Sequence, residues 1–210
     1  MLEDFVTEID LVTGEVRGRL SLLRPLLESA WQEVVPRPPT QRDVLQNNTI
    51  NVLGEVAVSP FESGHLLLSM REVDTVGVFD LETGSWVWAQ RGPWRRQHEP
   101  VYRPGGRILL FDNQGGAGRM ARALLWDVAD GRVEREVGGF VSLEAGAVAA
   151  LPNGNWLVTV SESGYAVELD PRGDRVWEFR SPHRAGRDGE LVATLFEVVR
   201  LSPSLLAELR

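Results

Sequence analysis

The chain has 210 residues, with 30 acidic against 22 basic side chains and a formal charge of −8, and every basic side chain is arginine. An acidic chain without basic clusters is a poor nucleic-acid binder, because phosphate neutralisation supplies most of that affinity. It offers no polybasic tract to an anionic membrane, and without cysteine it can form neither disulfides nor thiolate metal sites.

The length suits one domain, 1–210, which can bury about 70% of its unfolded surface. Met1-Leu2-Glu3-Asp4-Phe5 has neither the basic region nor the apolar run of a signal peptide. No stretch approaches the roughly 20 apolar residues of a membrane span. As written, the chain is expected to be soluble and without an export signal; a preceding segment would change that expectation.

Residues 1–20 hold the first copy of a recurring pattern, Ile9-Asp10, Thr13-Gly14 and Val16. An apolar residue precedes Asp, then a small residue and Gly, then Val. Gly at the tip allows positive φ in a tight hairpin, while Asp and Thr bond the turn backbone. Residues 21–40 interrupt it. Leucines from Leu20 to Leu27 at three- and four-residue spacing predict a short helix ending before Pro36, Pro38 and Pro39, an insertion serving as a lid or as packing.

The hairpin pattern returns in 46–90 as Phe79-Asp80, Thr83-Gly84 and Val87-Trp88. It returns in 94–137 as Trp126-Asp127, Asp130-Gly131 and Val133, and in 142–180 as Leu169-Asp170, Gly173 and Val176-Trp177. Each segment also has a turn followed by an apolar strand: Gly64 before Leu66-Leu67-Leu68, Pro104-Gly105-Gly106 before Ile108-Leu109-Leu110, and Pro152-Asn153-Gly154 before Trp156-Leu157-Val158. Two hairpins every 45 residues or so are the mark of four-stranded antiparallel blades, so the fold class is all-β and the architecture a β-propeller. A β-sandwich also has regular short strands, but it does not require the same residues at each turn. Trp88, Trp126 and Trp177 are expected to pack between blades.

Residues 190–200, beginning Leu191-Val192-Ala193, read as a further strand segment. Pairing with residues 1–20 would close a ring of about four blades. Alternatively, the chain is the C-terminal part of a longer propeller, as its start in mid-blade suggests.

Three histidines are present. His65 follows a turn glycine and is expected in solvent. His183 lies in a Pro/Gly loop, where an anchoring hydrogen bond is expected. His98 stands at the head of a blade's first strand, a position that can face a propeller's central channel. Alone, such a histidine is more often structural than chemical. Gln46-Asn47-Asn48 lies at the corresponding place one blade earlier, Met70-Arg71 follows the strand 66–69, and Asp112-Asn113 follows the strand 108–111. Amides and a guanidinium gathered there could bind a multi-oxygen anion. The plainer readings are turn-forming amides and a salt bridge from Arg71 to Glu72 or Asp74.

The series Asn48-Thr49-Ile50, Leu68-Ser69-Met70-Arg71, Val78-Phe79-Asp80, Gly84, Val87-Trp88, Gly92, Gln97-His98, Leu110-Phe111-Asp112-Asn113 and Leu151-Pro152-Asn153-Gly154-Asn155 resembles the arylsulfotransferase family over residues 9–200. The resemblance implies a six-bladed propeller, and a periplasmic or other extracytoplasmic setting if a leader precedes this chain. It implies a cofactor-free transfer, without phosphoadenosine, of a sulfuryl group from an aryl sulfate donor to a phenolic acceptor. The carrier would be a transiently sulfurylated histidine, matched by His98 within Gln97-His98. Arg71 and Asn48 match the family's arginine and asparagine as catalytic partners. Gln46 replaces a family histidine and cannot act as an acid or base at neutral pH; the family's lysine has no counterpart. Gln46, Gln97, Asn113, Trp94 and Tyr102 are the expected substrate contacts; Trp94 and Tyr102, which flank the His98 loop, either stack on the aryl ring or cover the edge of the core, and no metal is implied.

Two other readings remain open. One is a non-catalytic propeller that binds a ligand or protein at the channel mouth, with Glu55, Glu62, Glu99, Arg91, Arg95 and Arg96 as rim charges. The other is a quinoprotein-like dehydrogenase, for which no Asp/Glu/Asn set marks a calcium and quinone site.

Overall fold

The structure, a computed structural model, describes residues 2–36, 43–56 and 58–208. Pro38 and Pro39, expected to help end the inserted helix, lie outside the described residues.

The fold is all-β, built from four-stranded antiparallel propeller blades. A hairpin of β1 (Phe5–Ile9) and β2 (Val16–Ser21) comes first. A short helix α1 (Leu23–Leu27) and a 3-10 turn (Gln32–Val34) follow. The first full sheet is β3 (Asn47–Val52), β4 (Leu66–Met70), β5 (Thr75–Asp80) and β6 (Ser85–Arg91) in chain order. The second is β7 (His98–Arg103), β8 (Arg107–Asp112), β9 (Ala121–Asp127) and β10 (Val133–Phe140). The third is β11 (Ala147–Ala150), β12 (Trp156–Val160), β13 (Tyr165–Leu169) and β14 (Arg175–Arg180).

Turn chemistry sets the outer hairpins. The carboxylates of Asp10, Asp80, Asp127 and Asp170 each accept backbone N–H groups two to four residues on, as from Val12, Glu82, Ala129 and Arg172. The second strands of the sheets are continuous apolar runs because both of their faces are covered. Every residue of β4 and β12 is buried, and so are all but the first of β8. An apolar layer fills each gap between sheets: Leu67, Val78 and Trp94 meet Ile108, Leu110 and Trp126 in one, while Leu109 and Phe111 meet Val148 and Val158 in the next.

The described part of the excursion, 21–36, packs against the first sheet. Leu22, Leu23 and Leu26 are buried with Val34 and Trp86, and the Trp86 indole donates to Leu22 O. Trp88 and Trp126 lie 6.1 Å apart between sheets. Trp177 does not pack between sheets: it is 41% exposed and stacks on Phe179, because no described strand covers that face of β14.

Of the run 190–200, only β16 (Leu191–Val192) is a strand. It pairs with β15 (Arg184–Ala185), not with residues 1–20. Beyond it the backbone bonds to the third sheet instead, from Leu195 N to Ser161 O and from Val198 N to the Thr159 hydroxyl. Helix α2 (Pro203–Glu208) ends the described chain. Among the described residues, no helix is long and apolar enough to cross a membrane.

Candidate functional site

One end of the three sheets collects polar groups that the sequence scatters. The residues come from the turn before β3 (Gln46), the turn after β4 (Arg71–Asp74), the leading end of β7 (Arg96–Glu99), the end of β8 (Asp112, Asn113) and the loop from β10 to β11 (Val141–Gly146).

His98 is the centre. Its Nδ1 lies 2.7 Å from Asn113 Oδ1 and 3.1 Å from Arg96 O. The Asn113 amide nitrogen is committed elsewhere, donating to Ser142 O at 2.8 Å and Ala145 O at 2.9 Å. Both neighbours of Nδ1 are therefore acceptors, so Nδ1 carries the proton and Nε2 keeps its lone pair. Burial disfavours the imidazolium and lowers the His98 pKa; the Arg71 charge acts in the same direction, against the raising effects of the Asn113 bond and Glu144. At neutral pH the ring is a neutral base with one defined nitrogen available.

Arg71 is only 4% exposed. One Nη donates to Gln46 Oε1 at 3.0 Å and Glu72 Oε1 at 2.7 Å, and the other is ion-paired with Glu144. Arg96 also pairs with Glu72. Arg71 Nε is buried without an acceptor. Glu72, not Asp74, is thus the sequence-local partner of Arg71; the Asp74 carboxylate caps Arg96 N instead.

The backbone here is strained. Of five non-glycine residues with left-handed φ among those described, Gln46, Asp74, Arg96 and Glu99 belong to this region. Such conformations cost roughly 1–3 kcal/mol each and gather at functional sites. The Thr49 hydroxyl holds Glu99 in place by accepting its N–H. Burial raises the Glu99 carboxyl pKa, and the neighbouring Glu197 charge adds to the effect.

The remaining expected contacts sort differently. The Asn48 amide donates to Gln97 O at 3.0 Å, so it fixes the backbone that leads into His98. Gln97 is fully buried, and its amide donates to Ser69 Oγ and Thr75 O. It wedges the second sheet against the first, and its side chain has no exposed surface. Asn113 is fully buried with its polar atoms all engaged, one of them on the His98 ring. Trp94, at 1% exposure, stands edge-on to Trp126 at 5.2 Å with its indole N–H on Asp74 O. It belongs to the core, because the apolar layer between sheets covers it. Tyr102 lies at the other end of β7, beside Phe61 and a cavity of about 260 Å³. By its pairing it stands three residues of β8 from the level of His98, roughly 10 Å, because β7 bulges between His98 and Val101. His65 bonds its own turn through Nδ1; the His183 side chain is exposed, and its loop is tied by its backbone carbonyl to Ala193 N.

Sequence reasoning missed Glu144 and its loop. Glu162 accepts from Leu143 N and Glu144 N, Asn113 grips two of the loop's carbonyls, and Gly146 lies so close to Phe111 that a Cβ would stand 2.2 Å from its ring. No local motif announces a carboxylate brought in by such a loop. Among the described residues, no group of three or more His, Asp or Glu side chains is placed to hold a metal.

A family model described as arylsulfotransferase matches residues 1–182. No curated protein matches the chain in sequence. Among solved structures, a protein of unknown function from Bacteroides caccae superposes with a TM-score of 0.54 at 15% identity, covering 84% of this chain. That likeness is one of fold, and the chain spans 59% of that neighbour's length.

Proposed function

The chain belongs to the arylsulfotransferase family, and we propose that it transfers a sulfuryl group from an aryl sulfate to a phenolic acceptor through His98. The observation that carries this reading is the bond from His98 Nδ1–H to Asn113 Oδ1, which leaves Nε2 as the nucleophile. In the first half-reaction Nε2 attacks sulfur, an N–S bond forms, the S–O bond to the aryl group breaks, and the aryl oxide leaves. In the second, the acceptor oxygen attacks sulfur and the N–S electron pair returns to Nε2. Splitting one displacement into two is the gain of a covalent intermediate.

Arg71 supplies the fixed positive charge for the sulfuryl oxygens. Its unmet buried Nε donor is the kind of group an incoming anion satisfies. Asn48 and Asn113 hold the histidine from its backbone and its ring. The strained backbone around the site fits a preorganised centre.

A second reading, a propeller that binds a ligand or protein without chemistry, is favoured by one observation. Both terminal nitrogens of Arg71 already hold protein acceptors.

The test is nitrophenol release from 4-nitrophenyl sulfate, with and without phenol, beside His98→Ala, together with the intact mass of the protein. Phenol-stimulated release and a sulfuryl mass gain, both lost in His98→Ala, are the expected result. Equal, negligible release from two folded proteins overturns the reading for this donor.

A further inference from the structure

Sulfuryl transfer through His98 leaves one proton without a carrier, and a role for Glu144 rests on that reading of the site. When a phenol attacks the sulfurylated histidine, its O–H proton must go elsewhere. A phenol with a pKa near the reference of about 10 is protonated at pH 7. His98 cannot take the proton, since Nε2 holds the sulfur and Nδ1 is already protonated on Asn113. Gln46, which faces Arg71, has no acid or base function.

The carboxylates around the site are few. Asp112 is fully buried against Arg122. Glu72 is enclosed between Arg71 and Arg96. The Glu99 carboxylate accepts from the Thr49 hydroxyl at the first sheet. Asp74 caps Arg96 N, Glu162 caps Leu143 N and Glu144 N, and Glu144 differs from all five. Its side chain is 64% exposed, it pairs with the Arg71 guanidinium that would meet the sulfuryl oxygens, and its charge is felt by His98. Its loop is clamped by Glu162 and by Asn113, the residue that also holds the His98 ring. An exposed carboxylate on a fixed loop can leave an arginine for an incoming anion and stay beside it.

We propose that Glu144 is the acid–base residue of the transfer. Sulfuryl oxygens displace its carboxylate from Arg71. The carboxylate then accepts the acceptor's phenolic proton as the O–S bond forms and the N–S bond breaks. In the donor half-reaction the same carboxyl, once protonated, returns the proton to the departing aryl oxygen, so atoms and charge balance over the cycle.

The experiment uses the full chain and Glu144→Gln. It tracks the sulfuryl mass gain from 4-nitrophenyl sulfate, then transfer to two acceptors: phenol, and a polyfluorinated phenol already ionised at the assay pH. The variant is expected still to acquire one sulfuryl group, since nitrophenolate leaves without a proton. Its transfer to phenol should fall about 10²–10⁴-fold, the usual contribution of general acid–base catalysis. Its transfer to the ionised acceptor should change only a few-fold, and Glu144→Asp should restore part of the phenol rate. A parallel fall for both acceptors, or no fall for either, overturns the role while the histidine reading stands. A wild-type protein that never gains a sulfuryl group overturns both.

Discussion

Strand β7 carries His98 at one end and Tyr102 near the other, and its two ends are different materials. At the His98 end, polar groups converge from three sheets, buried or clamped, with their hydrogen bonds aimed at one another. At the Tyr102 end, Phe61 and Trp88 meet edge-on at 5.3 Å and Tyr102 closes the cluster from 6.2 Å. The first end is specified by direction and charge, the second by volume. Substitutions that keep volume should therefore damage the first end and spare the second.

Of the substitutions that probe this contrast, Arg71→Lys is expected to have the largest effect. Lysine keeps the charge but not the planar fork that spans Gln46, Glu72 and Glu144. Turnover should fall about 10²–10³-fold, as when one preorganised donor is removed, while circular dichroism stays native. Turnover within threefold of the parent would mean that a point charge suffices and that direction does not define this end.

Asn113→Ala comes next. It leaves the His98 ring held by Arg96 O alone, takes the amide donor from Ser142 O and leaves Ala145 O only the Ser142 hydroxyl. A loss of roughly 10–10²-fold in turnover is expected, with about 1–3 kcal/mol of stability for the unmet buried groups. Asn113→Asp sharpens the test. It offers His98 an acceptor but turns a second oxygen on the two carbonyls, so the His98 proton resonance should persist while the melting temperature falls.

A smaller effect should appear in pH dependence. The His98 pKa lies below its usual 6.5, first because of burial. Attack needs the neutral ring, so activity should hold as pH drops through 6.5 and decline only at lower pH, through the depressed value. Stability has the same sign: below 6.5 the unfolded chain binds the proton more readily than the folded one, so acid destabilises the native state through His98. NMR titration of the His98 ring reads both; a midpoint at or above 6.5 would contradict the burial argument.

How far the sequence reached depends on the same contrast. Blade hairpins were legible because Asp80, Asp127 and Asp170 do local work, bonding amides a few residues away. The apolar runs of β4, β8 and β12 were legible because burial on both faces leaves no alternation. His98 stood out at the head of a blade's first strand, and Arg71 at the end of the strand 66–69. Glu144 did not, since its partner lies 73 residues earlier in the chain and only the stacking of sheets brings them together. For Trp94 and Tyr102 the stacking alternative took closeness to His98 in sequence for closeness in space, while the core-edge alternative describes Trp94. Trp94 drops into the core within four residues, and β7, though bulged after His98, carries Tyr102 three residues of β8 away.

That correction leads to the smallest effect. If Tyr102 stacked on the aryl substrate beside His98, Tyr102→Ala would raise KM for aryl donors sharply. Placed as it is, Tyr102→Ala should leave kcat and KM within about threefold. It should lower the melting temperature instead, because a half-buried ring packed on Phe61 is removed. A loss of about 1–3 kcal/mol, short of the 3–5 kcal/mol for fully buried aromatics, corresponds to roughly 2–12 °C at this size. Tyr102→Phe keeps the ring and should recover most of it. An aryl-donor KM that rises tenfold in Tyr102→Ala at unchanged stability would show that the two ends of β7 share one substrate, and that volume as well as direction defines the site.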